Sequence, residues 1–179
     1  MASEQVPERL LEYVRQIHTI VDDAAATLTA HHHARMQCRR GCASCCVDDI
    51  TVTIVEAALI QRRHEALLQA EAPHPAGACA FLDDSGGCRI YDQRPYVCRT
   101  QGLPLRWIEQ ALAEDGEHEV FEYRDICPLN DPGGPPLETL DASAFWTLGP
   151  VEARLSAAQE QLNGNPNERV ALRSLFKTR

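Results

Sequence analysis

The chain has 179 residues, 44% of them hydrophobic, 24% charged and 6% aromatic, and its 17 Lys+Arg against 26 Asp+Glu give a net charge of −9. That balance provides apolar side chains for one core and excludes a disordered polymer; the net acidity argues against general nucleic-acid binding, which needs a basic face for phosphates. No uncharged run is longer than Ala72 to Leu82, far short of the roughly 20 apolar residues of a membrane-spanning helix.

The first predicted element is a long helix, within residues 4–37. Leu10, Val14, Ile17, Val21, Ala24, Ala25 and Leu28 recur at spacings of three and four, marking one apolar face. Ser3 is a suitable N-cap, Pro7 fits the first turn, and His31, His32 and His33 stand at the far end. A cysteine-dense stretch follows, after which Val47 to Val52 can form a short extended piece. Thr53 and Glu56 make a capping box, so the next helix is expected to start near Ile54 and run to about Ala70, before Pro73, Pro75 and Gly77 open a loop.

Cys79–Leu82 and Cys88–Tyr91 flank the turn residues Asp83–Gly87, the pattern of a small hairpin that would bring Cys79 and Cys88 together. Asp92 can cap a helical turn running through Arg94 and Pro95 to Cys98 and Arg99, and Asn130–Pro136 reads as a loop. The tail, residues 137–177, is predicted as two or three helices, with Pro150 and Pro166 as first-turn prolines and Gly164 as the stop between them. The expected fold is a mainly α single domain over residues 1–179, with a small β-hairpin and a cysteine-rich, metal-organised loop centre.

Residues Met1 to Pro7 lack the basic and apolar regions of a secretory signal, so the chain is expected in the cytoplasm. Eight cysteines in a reducing compartment are poor candidates for four structural disulfides, and metal binding becomes the default expectation. The candidate ligands are Cys38, Cys42, Cys45, Cys46, Cys79, Cys88, Cys98 and Cys127. Eight sulfurs allow two four-ligand sites, or one site with spare thiols. On a helix Cys38, Cys42 and Cys45 would share a face, although Gly41 weakens a helical reading; Cys45 and Cys46, being adjacent, are expected to have different roles. Cys127 stands apart and suits a buried bystander as well as a ligand.

Positive charge is concentrated around these sulfurs. Residues 35–46 hold three arginines and no acid, and residues 88–106 hold four arginines and one aspartate. Guanidinium groups favour thiolates, and Arg94 and Arg99 are the expected donors to the sulfurs of a bound cofactor. Tyr91 and Tyr96 could shield such a centre by packing over it. His64 reads as a surface residue, and the acid pairs Asp48-Asp49 and Asp83-Asp84 read as turn or cap residues.

Cys38-x3-Cys42-x2-Cys45-Cys46, Glu56, Cys79-x-Phe81-Leu82, Gly87-Cys88-Arg89-Ile90-Tyr91 and Arg94-Pro95-Tyr96-Val97-Cys98-Arg99 together resemble the bacterial YkgJ-like, zinc- or iron-chelating cysteine-cluster proteins. The family motif often has two residues between its first cysteines; here there are three, a variation the family tolerates. The resemblance covers roughly residues 38–100, the metal-binding core, leaving flanking helices outside it. It implies a metal or iron–sulfur centre and, by the label common in the family, an iron–sulfur oxidoreductase. One branch is associated with lysine methylation of flagellin, but no glycine-rich methyl-donor loop is present here and that activity is not carried over.

The leading expectation is a cytoplasmic protein holding an iron–sulfur cluster, of the 4Fe–4S type, in electron transfer or redox-linked chemistry with a protein or redox partner. The alternative is a structural Zn2+ protein acting as a partner-binding module or thiol redox sensor. Cys127-Pro128 and the uneven spacing lean towards a cluster; paired C-x2-C knuckles would have leaned towards zinc.

Overall fold

The computed structural model describes residues 6–112, 118–163 and 165–177. Helix α1 (Glu8–His31) buries Leu10, Val14, Ile17, Val21 and Ala25 of the predicted face, with Ala24 and Leu28 partly buried and Leu11 joining them. Pro7 is the N-cap, one residue outside the helix, and Ser3 lies outside the described residues. This face packs on Val55, Ala58 and Leu59 of α2 (Ile54–Arg63) and on Val151, Leu155 and Ala158 of α5 (Pro150–Asn163), forming a first core.

Thr53 caps α2 as expected, its hydroxyl accepting from the Glu56 N–H at 3.3 Å. The Glu56 carboxylate departs from the capping-box pattern. It is buried and accepts the Thr53 hydroxyl at 3.0 Å and the Tyr96 N–H at 2.8 Å, with His18 Nε2 at 3.1 Å. One side chain thereby fastens α1, the start of α2 and α4 (Tyr96–Arg99). The predicted helix to Ala70 is broken at His64, beyond which α3 (Glu65–Ala70) completes it. His64 is half-buried at this break rather than a surface residue, and its Nε2 has no partner among the described residues.

A second core surrounds Phe81. It gathers Val52, Ile60, Leu68, Cys79, Ile90, Leu172, Leu175 and Phe176. Strand β1 (Thr51–Thr53) is shorter than the extended piece expected from Val47, and it pairs antiparallel with β5 (Arg169–Ala171). The tail therefore differs from the helical expectation. Beyond α5, Pro166 starts no helix, and β5 is followed by a 3-10 turn at Leu172–Leu175. The strand forms because β1 offers an open edge, a partner that local sequence does not reveal. Gly164 lies outside the described residues.

The hairpin predicted around Asp83–Gly87 reduces to a single antiparallel bridge, Leu82 with Cys88. The Asp83 carboxylate holds the turn by accepting the N–H groups of Ser85 and Gly87, each at 2.8 Å. A longer hairpin lies where none was predicted: β2 (Leu105–Leu112) pairs antiparallel with β3 (His118–Asp125). Its base is extended by the short parallel β4 (Trp146–Thr147). Its apolar side chains lie on both faces and leave Ile108, Leu112, Val120 and Phe121 exposed, so the one-sided alternation that signals a half-buried strand is missing.

Burial pushes the Glu56 carboxyl upward, but the hydrogen bonds from His18, Tyr96 and Thr53 outweigh it, and its pKa lies below the ordinary 4.5. The stability it contributes is therefore complete above that value and lost as pH falls through the lower folded-state value. Glu56→Gln is expected to cost roughly 3–5 kcal/mol, as for a broken buried pair. Melting curves below pH 4.5 should fall more steeply for the native chain than for the variant; parallel slopes would refute this assignment.

Candidate metal centre

The segment from Met36 to Ile50 contains no helix or strand. Turns shape it: the Cys42 N–H donates to the Arg39 carbonyl at 2.9 Å and the Cys46 N–H to the Ala43 carbonyl at 3.0 Å. Gly41 takes a φ of 91°, the left-handed value open to glycine. Cys38, Cys42 and Cys45 therefore do not share a helix face. The Cys79 N–H donates to the Cys46 carbonyl at 2.9 Å, joining the Cys79 segment to this loop.

These turns, the Leu82–Cys88 bridge and α4 bring distant cysteines to one place. Seven of the eight, all but Cys127, line a cavity of about 1240 Å³. The second half of α1 also lines it, with Asp22, Ala25, Ala26, Thr29 and Ala30, as does His33 beyond the helix end. His32 serves structure instead: it is buried and its Nε2 lies 2.7 Å from the Ala144 carbonyl. All eight cysteines are free thiols.

Burial pushes the thiols of Cys38, Cys79 and Cys88 up, and that of Cys98 up to about 12, where Cys79, Cys88 and Cys45 add to the effect. Cys45 and Cys46 diverge. A hydrogen bond from Cys46 favours the Cys45 thiolate and holds the Cys46 proton in place. Such a set of thiols is costly to ionise until a cation is supplied, and a bound metal supplies it, deprotonating the sulfurs it binds.

Arg94 and Arg99 both line the cavity. Arg94 donates to the carbonyls of Tyr91 and Cys98 at 3.0 and 3.1 Å, lies 4.4 Å above the Tyr91 ring, and favours the thiolates of Cys88 and Cys98 through space. Arg99 is buried, pairs with Asp22, and has an Nε–H with no acceptor among the described residues. A buried donor of this kind on a residue of the thiol-lined cavity fits an anionic, sulfur-rich centre. Tyr91 stands at the cavity between Arg40 and Arg94. Tyr96 does not; its hydroxyl bonds Trp146 Nε1 and Glu152 in the first core.

The donor set suits a soft, thiolate-binding metal. The side chains are nevertheless arranged as hydrogen-bonded thiols: among the described residues, no three His, Cys, Asp or Glu side chains stand as the coordination shell of an ion.

Asn130, which the sequence presents as part of a plain loop, has a central place here. It is fully buried; its Oδ1 accepts the Gln37 N–H at 2.7 Å, while its Nδ2 donates to the Gly102 carbonyl at 2.7 Å and lies 3.3 Å from Cys38 Sγ. Its own N–H donates to the Cys127 carbonyl at 2.8 Å. Arg35 supports it, donating to the carbonyls of Asn130 and Asp131 at 3.1 and 2.9 Å. The signal in the sequence is Gly133-Gly134, because a Cβ at Gly133 would meet the Arg35 backbone at 2.6 Å.

Asn130→Ala leaves the Gln37 N–H and the Gly102 carbonyl unpaired, at about 1–3 kcal/mol each, and releases Cys38. A lower melting temperature and faster alkylation of Cys38 by iodoacetamide, mapped by mass spectrometry, are expected. Unchanged Cys38 alkylation would count against the positioning role.

A family model described as "Putative zinc- or iron-chelating domain", with the signature CxxCxxCC, matches residues 37–128, which is more than half of the chain. The match runs from the residue before Cys38 to the residue after Cys127, so it takes in all eight cysteines. No curated protein and no solved structure matches the chain. With its cysteines gathered mainly on one cavity and its sequence matched across all of them, the chain belongs to the CxxCxxCC family of zinc- or iron-chelating domains.

Proposed function

We propose that this chain is a redox or electron-transfer protein that holds an iron–sulfur cluster, of the 4Fe–4S type, on its clustered cysteines and works in the cytoplasm with a protein redox partner. The observation that carries this reading is the convergence of seven thiols from three separate segments on a cavity also lined by Arg94 and Arg99. A cluster, when bound, supplies one-electron chemistry. The chain's part is to present thiolates, to offset their charge with guanidinium groups, and to limit water around them. The Nε–H of Arg99 would donate to a sulfur, and Tyr91, held between two arginines, would cover the centre. A working set of free thiols also suits a reducing compartment.

A second reading is a structural zinc module that binds a partner or senses thiol oxidation. What favours it is the β2–β3 hairpin, whose exposed Ile108, Leu112, Val120 and Phe121 suit a protein contact better than electron transfer.

Purification without oxygen, followed by assay of iron, zinc and acid-labile sulfide and a visible spectrum, separates the two. Iron with matching sulfide and broad brown absorbance is the expected result; zinc in a colourless protein would replace the first reading with the second. Cys45→Ser is expected to lose metal and lower the melting temperature, because metal binding and folding are coupled. Full metal content and an unchanged melting temperature in that variant would remove Cys45 from the ligand set.

A further inference from the structure

Two different sets of contacts hold the thiols at opposite ends of this group. Cys46, Cys79 and Cys88 pack with the second core around Phe81. The Cys79 N–H to Cys46 carbonyl bond of 2.9 Å joins two of them, and the Leu82–Cys88 bridge brings in the third, since the Leu82 N–H also donates to the Cys79 carbonyl at 3.0 Å. Cys98, at the end of α4, has Cys79, Cys88 and Cys45 as its thiol neighbours.

Cys38 and Cys127 are organised elsewhere, where the end of α1 meets the Asn130 loop, and Cys42 neighbours Cys38. Asn130 reaches both outer members, with Nδ2 at 3.3 Å from Cys38 Sγ and its N–H on the Cys127 carbonyl at 2.8 Å. Met36 Sδ lies 3.6 Å from the same Nδ2, and Met36 packs against the first core rather than the second. The thiol neighbours of Cys38 are Cys127, to which it is hydrogen-bonded, and Cys42. Cys46, Cys79 and Cys88 thus rest on the second core, whereas Cys38 and Cys127 share the Asn130 anchor.

We propose that the chain carries two metal centres: one held by Cys45, Cys46, Cys79, Cys88 and Cys98, or by four of these, and a second held by Cys38, Cys42 and Cys127 beside Asn130. This rests on the reading of the cysteines as ligands. The division follows from the anchors, because a ligand set forms from thiols whose backbones are fixed relative to one another. Three thiols are one short of a tetrahedral shell, so the second centre completes its shell with a donor other than cysteine.

The test is metal content per chain after anaerobic purification, measured for zinc and iron in the native chain and in single and double serine variants, with a thermal melt for each. Cys38→Ser, Cys42→Ser and Cys127→Ser are expected each to remove the same part of the metal and leave the remainder bound. Cys88→Ser and Cys98→Ser are expected to remove that remainder. The Cys38→Ser/Cys127→Ser pair should lose no more than either single variant, whereas Cys127→Ser/Cys88→Ser should lose everything. A folded Cys127→Ser chain with no metal, or with its full complement, overturns the two-centre assignment. Cys127→Ser decides the matter even if variants at the core-packed Cys79 or Cys88 fail to fold. A native chain that binds neither metal overturns the ligand reading itself, which is a different result from a single shared centre.

Discussion

A loop carrying four cysteines in nine residues has no helix or strand ladder to hold it, so its shape must be imposed by side chains that reach its backbone from elsewhere. Asn130 does this at Gln37, and Arg35, Arg173 and Glu56 fix the segments around the loop. Asn130 fixes Gln37 and Gly102, and Arg35 fixes the Asn130 loop in turn. Arg173 pairs with Asp48 and donates to the carbonyls of His74 and Ala78 at 2.6 and 2.7 Å, while Asp48 accepts the Gly77 N–H at 2.8 Å. Glu56 holds the start of α4, and with it Cys98, against α1 and α2. Cys38, Cys127 and Cys98 take their places from buried polar groups whose partners lie far away in sequence.

Charge follows the same plan. Most arginines near the sulfurs do not bond to them. Arg35, Arg94 and Arg173 donate to loop carbonyls, and Arg99 pairs with Asp22. The charge of Arg94 still acts through space, favouring the thiolates of Cys88 and Cys98 where burial alone opposes them, and Arg173 does the same at Cys79. One set of guanidinium groups therefore shapes the loops and prepares the sulfurs to ionise.

The face of α1, the start of α2 at Ile54 and the Asp83 turn are all legible in the sequence, because each rests on a local rule: period, cap and Asx turn. The metal-binding character of the cysteines is legible from their density alone. The β2–β3 hairpin is not, since its apolar residues fall on both faces and leave no one-sided pattern. The strand at Arg169–Ala171 reads as helix because its partner is more than a hundred residues away. Tyr96 illustrates the same limit. Its proximity to Cys98 in sequence suggests a cover for the centre, yet its hydroxyl turns into the core to meet Trp146 and Glu152.

By itself the sequence determined which atoms are available: eight thiols, the arginines beside them, and the caps and turns that start and stop the nearby elements. Those are properties of residue type and short spacing, and they survive in any fold the chain adopts. Only the tertiary structure decided which thiols meet. It set Cys46 against Cys79 and Cys38 beside Cys127, and it gave Asn130 and Arg35 their places. The reason is physical: loops without a ladder take their form from long-range buried hydrogen bonds, and spacing along the chain carries no record of those partners.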